Sequence, residues 1–213
     1  MYPISKDVFM GMLNNGTRFF LLVSMLLGFL YPSVLTGFAH LFFPWQAKGS
    51  LITDNGIKIG SVCIGQHFND IGYFWGRPST TPTMPYNPMY SEGSNLGPSA
   101  LIRLENLKQR MIQLQNTNFN INTPIPFNLV SNSGSGLDPD ISVSAARYQI
   151  FRVAKARQLP INMVAELVEQ SIIPRTFHLL GEPRVNVLQL NIALNRMSAL
   201  YLSEERNKHG KAP

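Results

Sequence analysis

The sequence predicts an α+β protein in which one N-terminal transmembrane helix precedes a single mixed soluble domain with few short strands. Residues 19–43 contain no Asp, Glu, Lys or Arg, so they can form a helix that spans a bilayer. The remainder alternates segments of helical periodicity with short apolar runs bounded by turn residues. A chain of 213 residues is long enough for one anchor and one soluble core, and short for two soluble domains.

The composition limits the function classes. Only 14% of the residues are charged, against about a quarter in typical soluble proteins, which agrees with a membrane segment. The net charge is +6, but the sequence has no Lys/Arg run, zinc-finger spacing or aromatic ribonucleoprotein motif, so no nucleic-acid partner is expected. The single cysteine, Cys63, excludes an internal disulfide framework, and its apolar surroundings predict a small buried residue.

The apolar segment reads "FFLLVSMLLGFLYPSVLTGFAHLFF". Its 25 residues reach ~37 Å as a helix, more than the ~30 Å hydrocarbon core. A cleaved signal peptide ending near Gly37 is the alternative, but the apolar run continues beyond that point and favours an uncleaved anchor. We therefore expect a cytoplasmic tail at residues 1–18, a transmembrane helix at 19–43 and a soluble α+β domain at 44–213. The balance of Lys and Arg places that domain on the extracytoplasmic side.

Small or polar residues recur every fourth position along the anchor, at Ser24, Gly28, Pro32 and Thr36. Such stripes let helix backbones approach closely within a membrane, so this one predicts a docking face. The alternative is that Gly and Pro are simply more frequent in membrane helices.

The first part of the soluble domain lacks helical periodicity. Turn residues at Asp54 to Gly56 separate two apolar runs and predict a short hairpin. Residues 69–98 are too rich in proline for a helix or central strand. We expect a long loop there, and its aromatic residues predict that it packs against something.

Later segments are predicted to be mostly helical. Ser142 and Asn186 are expected N-caps, and the final segment is assigned as a helix although its alternating leucines also permit a strand. The predicted elements are helices at 99–116, 143–159, 161 to about 172 and from 187 onward, with one short strand in "PIPFNLVSN". The first of these helices has Leu101, Leu104, Leu107 and Met111 on one face, which is expected to pack.

The stretch "SNSGSGLDPDIS" places a Gly/Ser loop before a helix. It lacks the lysine and the spacing of a P-loop. Its backbone N–H groups could hold an anion or could serve only to turn the chain, and we favour a turn and helix cap. Asp138 and Asp140 would repel a polyanion and are expected to interact with the positive end of the helix.

No catalytic or metal site is predicted. There is no G-x-S-x-G elbow, and the four histidines lack ligand spacing. The cations Arg147, Arg152, Lys155 and Arg157 are expected to form a solvated face on the middle helix.

Seven motifs occur in one order along the chain: "YPSVLTGFAHLFFPWQAKGSLI", "IGQHF", "YFWGRPS", "EGSNLGPS", "SGSGLDPDIS", "RVAKARQL" and "GEPRVNVLQLNIAL". In this order the chain resembles the C subunit of the bacterial Kdp potassium-transporting P-type ATPase, from about Phe20 to Leu194. Glu92 and Asp140 depart from the residues common in that family. Asp140 makes nucleotide contact at the Gly/Ser loop less plausible.

The resemblance implies a non-catalytic accessory subunit of the bacterial inner membrane, without a cofactor of its own. The implied partners are a channel-like potassium-binding subunit, an ATP-hydrolysing pump subunit and a small helical subunit. The family role is described as assembly of the complex and as a catalytic chaperone that raises the ATP affinity of the pump subunit. The implied nucleotide contact, with ATP shared with the pump subunit, is Ser133, Gly134, Ser135 and Gly136.

An extracytoplasmic loop cannot touch cytoplasmic ATP, so the nucleotide role and the predicted topology exclude each other. An external domain would instead cap the ion entrance of the channel-like subunit with the segment 69–98. The alternative from a different class is a stand-alone membrane-anchored hydrolase of the cell envelope. The expected partner-contact residues of the segment are Tyr73, Phe74, Trp75, Arg77 and Asn95.

Overall fold

The computed structural model describes residues 5–54, 56–97, 99–117 and 123–209. The chain divides into two compact units, Met1–Leu51 and Ile52–Pro213. Each unit is described by itself below.

The first unit is helical. Ser5 caps the first helix, because its Oγ accepts a hydrogen bond from the Val8 N–H. The stretch Lys6–Phe42 is long and apolar enough to cross a membrane by length and composition, so helical backbone begins well before residue 19. The elements are α1 (Lys6–Met25), a π-helical turn (Leu26–Leu30), α2 (Tyr31–Phe42) and α3 (Pro44–Ala47).

The predicted hairpin is confirmed. Strands β1 (Leu51–Asp54) and β2 (Ile57–Ser61) form a two-stranded sheet. Gly56 adopts φ +79° in the connection, a conformation that glycine reaches without steric cost. The predicted turn residue Asn55 lies outside the described residues.

A second, antiparallel sheet has the strand order β3-β5-β4. Its strands are β3 (Asp140–Ser142), β4 (Ile172–Ile173) and β5 (Arg184–Asn186). Val185 of the central strand pairs with Ile141 on one side and Ile172 on the other. Val185 and Ile141 are buried, so this short sheet contributes its centre to the core.

Among its described residues, the second unit also contains five helices: α4 (Leu101–Thr117), α5 (Phe127–Val130), α6 (Val143–Arg157), α7 (Ile161–Gln170) and α8 (Val187–His209). Helix α6 packs against α7, and α7 against α8. Apolar side chains at helical spacing fill the space between them, among them Val153, Val164, Val168, Leu190 and Leu194. The final segment is therefore a helix, as predicted.

Both predicted caps are confirmed. Ser142 Oγ accepts from the Ala145 N–H at 3.3 Å at the start of α6, and Asn186 Oδ1 accepts from the Gln189 N–H at 3.1 Å at the start of α8. Gln158 ends α6 in the left-handed conformation, with φ +56°.

One local prediction is wrong, and one predicted helix ends earlier than expected. The expected strand in "PIPFNLVSN" is helix α5, because Pro124 and Pro126 cannot donate to a strand ladder and Pro126 instead precedes the first helical residue. The expected 161–172 helix ends at Gln170, and Ile172 begins strand β4.

Two expectations about burial also need correction. Cys63 is exposed rather than buried, because it follows the end of β2 in a turn. Helix α4 forms as predicted, but its stripe of Leu101, Leu104 and Met111 is exposed, and the residue that α4 buries is Leu114.

Candidate functional site

The first part of the segment 69–98 is a buried loop. The segment contains no helix or strand among its described residues, and Phe74 is 0% and Trp75 2% exposed. Phe74 N–H donates to Asn191 Oδ1 at 2.9 Å, and Asn191 Nδ2 donates back to Phe74 O at 3.0 Å. In the same way, Trp75 N–H donates to Gln149 Oε1 at 2.8 Å, and Gln149 Nε2 donates back to Trp75 O at 3.1 Å. Two side-chain amides therefore take the place of a neighbouring strand.

Arginine side chains hold the same loop from α6. Arg152 is 2% exposed and lies over the Trp75 ring, 4.1 Å from its centroid. It donates to Tyr73 O at 3.0 Å and to Gln149 Oε1 at 2.7 Å. Burial lowers the pKa of Arg152 to about 10. The expected solvated face is therefore wrong for Arg152, because the loop covers it and supplies carbonyl acceptors.

The second part of the segment is fixed by its own side chains. Tyr86 is buried; its hydroxyl donates to Arg77 O at 2.5 Å and its N–H donates to Ser79 Oγ at 2.9 Å. Burial raises the pKa of Tyr86 to about 12. Asn87 N–H donates to Thr81 Oγ1 at 3.0 Å. The loop is thus braced internally.

The predicted partner-contact residues fall into different environments. Phe74 and Trp75 are in the core, Tyr73 is half-buried, and Asn95 is exposed. Arg77 forms an ion pair at 2.9 Å within the chain. Partner contact through these residues stays a prediction.

Large apolar side chains on the same segment are exposed to solvent, among them Ile71 at 52%. Met84 is 55% exposed, Met89 83% and Tyr90 48%. Tyr90 is one of the aromatic residues from which packing of the loop was predicted, but it is exposed. Met84 and Met89 were not singled out, because exposure of a loop residue depends on how the rest of the loop folds.

The Gly/Ser loop satisfies much of its own hydrogen bonding. Ser133 is 1% exposed, and its Oγ accepts from the N–H groups of Gly136 at 3.1 Å and Asp138 at 3.4 Å. Ser135 Oγ accepts from the Leu137 N–H at 3.1 Å. Gly136 has φ +71°, which glycine tolerates. Nucleotide contact at residues 133–136 stays a prediction.

This loop also packs against the long segment. Ser133 N–H donates to Pro78 O at 3.0 Å, and Ser79 Oγ donates to Gly136 O at 2.7 Å. A Cβ on Gly93 would lie 2.8 Å from Gly134 O. The two loops therefore form one fixed substructure.

The acidic residues after the Gly/Ser loop bind arginines rather than a helix end. Asp138 pairs with Arg77 at 2.9 Å and Asp140 with Arg184 at 2.8 Å. Asn186 Nδ2 also donates to Asp140 Oδ1 at 3.1 Å. The expected interaction with the start of α6 is wrong, because Asp140 begins strand β3, which separates the loop from the helix.

The predicted membrane docking face includes a backbone irregularity. Its residues Ser24, Gly28, Pro32 and Thr36 are exposed in the chain. In the π turn, the Tyr31 N–H donates to Leu26 O, five residues back. In regular α geometry Pro32 could not donate to the Gly28 carbonyl, and its ring would clash with that group. The wider π turn relieves this conflict, whereas docking at the stripe stays a prediction.

Sequence reasoning did not identify Gln149 and Asn191, and it placed Arg152 on the surface instead of in the core. Each is a polar residue among apolar residues at helical spacing, such as Val153 on α6 and Leu194 on α8. Among the residues that the structure describes, no three of His, Cys, Asp and Glu lie close enough together to hold a metal ion.

Comparison with known proteins gives one consistent family. Residues 13–196 match the family "KdpC: K+-transporting ATPase, c chain". The "Potassium-transporting ATPase KdpC subunit" of Burkholderia ambifaria is 48% identical over 182 residues, which cover 85% of this chain and 94% of that protein. The corresponding subunit of Burkholderia vietnamiensis is 49% identical over 176 residues, 83% of this chain and 91% of that one.

The subunit from Polynucleobacter asymbioticus is 47% identical over 176 residues, with 83% of this chain and 93% of that protein covered. The family match covers the N-terminal helix from residue 13 and the second unit as far as residue 196. The chain therefore belongs to the KdpC family of potassium-transporting ATPase subunits.

Proposed function

We propose that the chain is a non-catalytic subunit that assembles the potassium-transporting complex. Its N-terminal helix anchors it in the bacterial inner membrane, and its second unit lies outside and contacts a partner subunit. The partners are the channel-like potassium-binding subunit, the ATP-hydrolysing subunit and the small helical subunit. The stripe Ser24, Gly28, Pro32 and Thr36 docks against their membrane helices.

The exposed tip of the long loop carries this proposal. Met89 and Tyr90 are 83% and 48% exposed, on a backbone that is already fixed. Asn87 Nδ2 donates to Pro82 O at 3.2 Å and to Thr83 Oγ1 at 2.9 Å. Met and Tyr are enriched at protein interfaces. A loop that is ordered before binding loses little conformational entropy when a partner covers it.

The test is copurification of the complex from detergent with Met89→Glu. A carboxylate at this position would be buried without a partner in the assembled complex, so we expect the other subunits to be lost. The matched control is Leu101→Glu, since Leu101 on α4 is 82% exposed and should tolerate the change. Retention of all subunits by Met89→Glu, or equal loss with both variants, would refute the proposed contact.

The effect on ATP affinity is proposed to reach the pump subunit through the membrane helices. The engagement of Ser133 Oγ by two backbone N–H groups supports this route, because a hydroxyl so occupied is poorly placed to contact a phosphate. Direct contact of shared ATP with residues 133–136 is the competing proposal. Coupling through the membrane helices is compatible with an extracytoplasmic second unit, whereas direct contact with ATP requires the second unit to be cytoplasmic.

Protease accessibility of residues 44–213 in intact spheroplasts decides between them, with a cytoplasmic protein as control. Digestion in intact spheroplasts is expected and would leave the Gly/Ser loop as a turn. Full protection until lysis would place the loop on the side of the nucleotide, and the extracytoplasmic assignment would then be abandoned.

A further inference from the structure

We propose that the second unit contains a binding site for a phosphate-type anion. The site is a crevice between helix α4 and the segments 77–80 and 130–132. Cavities of about 230 and 290 Å³ lie along it, and both are lined by Asn106 and Asn132. Arg77 and Arg110 join them to a third cavity of about 170 Å³. Each cavity is large enough for a tetrahedral oxyanion.

The crevice is cationic. Arg77, Arg103 and Arg110 line it, whereas the described residues that line the three cavities include no Asp or Glu. The Arg103 backbone N–H donates to Ala100 O at 3.0 Å, but its guanidinium makes no hydrogen bond or ion pair with any residue that the structure describes. Burial lowers the pKa of Arg110, so a counter-charge nearby would stabilise its charged form.

Two buried polar atoms in the crevice have unmet hydrogen bonds. Arg77 donates through Nη1 to Asp138 Oδ2 at 2.9 Å and through Nη2 to Asn132 O at 2.9 Å. Its Nε is buried without a partner among the described residues, as is Thr80 Oγ1. Buried polar groups are normally satisfied. These two atoms are themselves covered, and Arg77 and Thr80 line different cavities of the crevice, so the donors that a ligand in the crevice would meet are those of Arg103.

The chemistry of the crevice selects the ligand. A guanidinium N–H can only donate, and Arg103 offers further donors close by. Phosphate oxygens accept such bonds in charge-assisted geometry. Inorganic phosphate and a phospholipid headgroup share this chemistry. None of residues 133–136 lines these three cavities. A neighbouring cavity of about 710 Å³ shares Ser94, Leu96 and Asn132 with the first. It is also lined by Glu92, Ser133 and Gly134, so the proposed site adjoins the Gly/Ser loop but does not use it.

The test uses the full-length chain in neutral detergent and isothermal titration calorimetry at constant ionic strength. Inorganic phosphate and glycerophosphoglycerol, a deacylated lipid headgroup, are titrated separately. Arg103→Gln removes one charge from the crevice without breaking a described contact. Lys108→Gln removes the same charge from an exposed position of α4 that does not line it. Thermal unfolding of each variant verifies that it is folded.

We expect saturable binding of at least one ligand, weakened about tenfold by Arg103→Gln and unchanged by Lys108→Gln, as for the loss of one charge-assisted hydrogen bond. Tighter binding of glycerophosphoglycerol would identify a lipid headgroup as the source, and tighter binding of phosphate a free anion. Absence of saturable binding to the wild type, or equal weakening by both variants, would overturn the site.

Discussion

The substitution Asn191→Leu tests whether side-chain amides hold the buried loop. Asn191 makes two hydrogen bonds with the backbone of Phe74, at 2.9 and 3.0 Å, and Phe74 is 0% exposed. Leucine has a similar size but cannot replace either bond, so an N–H and a carbonyl would remain buried without partners. Each such group costs about 1–3 kcal/mol. We therefore expect the free energy of unfolding to fall by about 2–5 kcal/mol.

The measurement is chemical denaturation of the full-length chain in neutral detergent. The chain has two tryptophans, so a Trp45→Phe background leaves Trp75, next to Phe74, as the fluorescent probe. Asn195→Leu is the control, since Asn195 lies on the same helix and is exposed; its effect should stay within about 0.5 kcal/mol. If the free energies of unfolding of Asn191→Leu and Asn195→Leu differ by less than that amount, the two hydrogen bonds of the Asn191 amide do not stabilise the loop.

Three further predictions concern single groups in the second unit. Because burial raises the folded-state pKa of Tyr86 from 10.0 to about 12, its contribution to stability is complete below about pH 10. Between about pH 10 and pH 12, this contribution to the free energy of unfolding should decline by about 1.4 kcal/mol per pH unit. The free energy of unfolding of Tyr86→Phe, measured over the same pH range, should not show this decline. Gly136→Ala should cost about 1–3 kcal/mol in urea denaturation, since φ is +71° and a Cβ would meet a backbone oxygen at 2.8 Å. Gly134→Ala, which meets nothing within 4 Å, should be nearly neutral, and equal effects would argue against this reasoning. Ser142→Ala should lower the thermal midpoint through the loss of about 1 kcal/mol of capping energy, whereas Ser91→Ala, at an exposed loop position away from this cap, should not.

The sequence predicts those parts of the fold that local chemistry determines. Ser142 and Asn186 were identified as caps because a cap needs only the N–H groups of the following turn. The loop 69–98 was recognised from its prolines, which exclude regular structure whatever the tertiary contacts are. The membrane segment was recognised from length and composition, which are likewise local properties.

The missed features depend on residues far apart in the chain. From the sequence, Arg152 is expected to be a surface cation. Its burial is stabilised by the carbonyl of Tyr73 and the ring of Trp75, which lie far from it in the sequence. Gln149 and Asn191 bind loop residues 74 and 117 positions away. No periodicity reveals such partners. Cys63 was misjudged for the same reason, since its apolar neighbours in sequence are not its neighbours in space.

The π turn at Leu26–Leu30 has a consequence for the two halves of the N-terminal helix. A regular α-helix turns by about 100° per residue, and a π turn accommodates one extra residue. If the same residues were in regular α geometry with none removed, α1 would be rotated by about 100° relative to α2, whereas removal of the extra residue would leave the two helices in phase. In regular α geometry, Ser24 would leave the line of Pro32 and Thr36. The small residues on the two sides of the turn therefore share one line only because the π turn absorbs the extra residue between them.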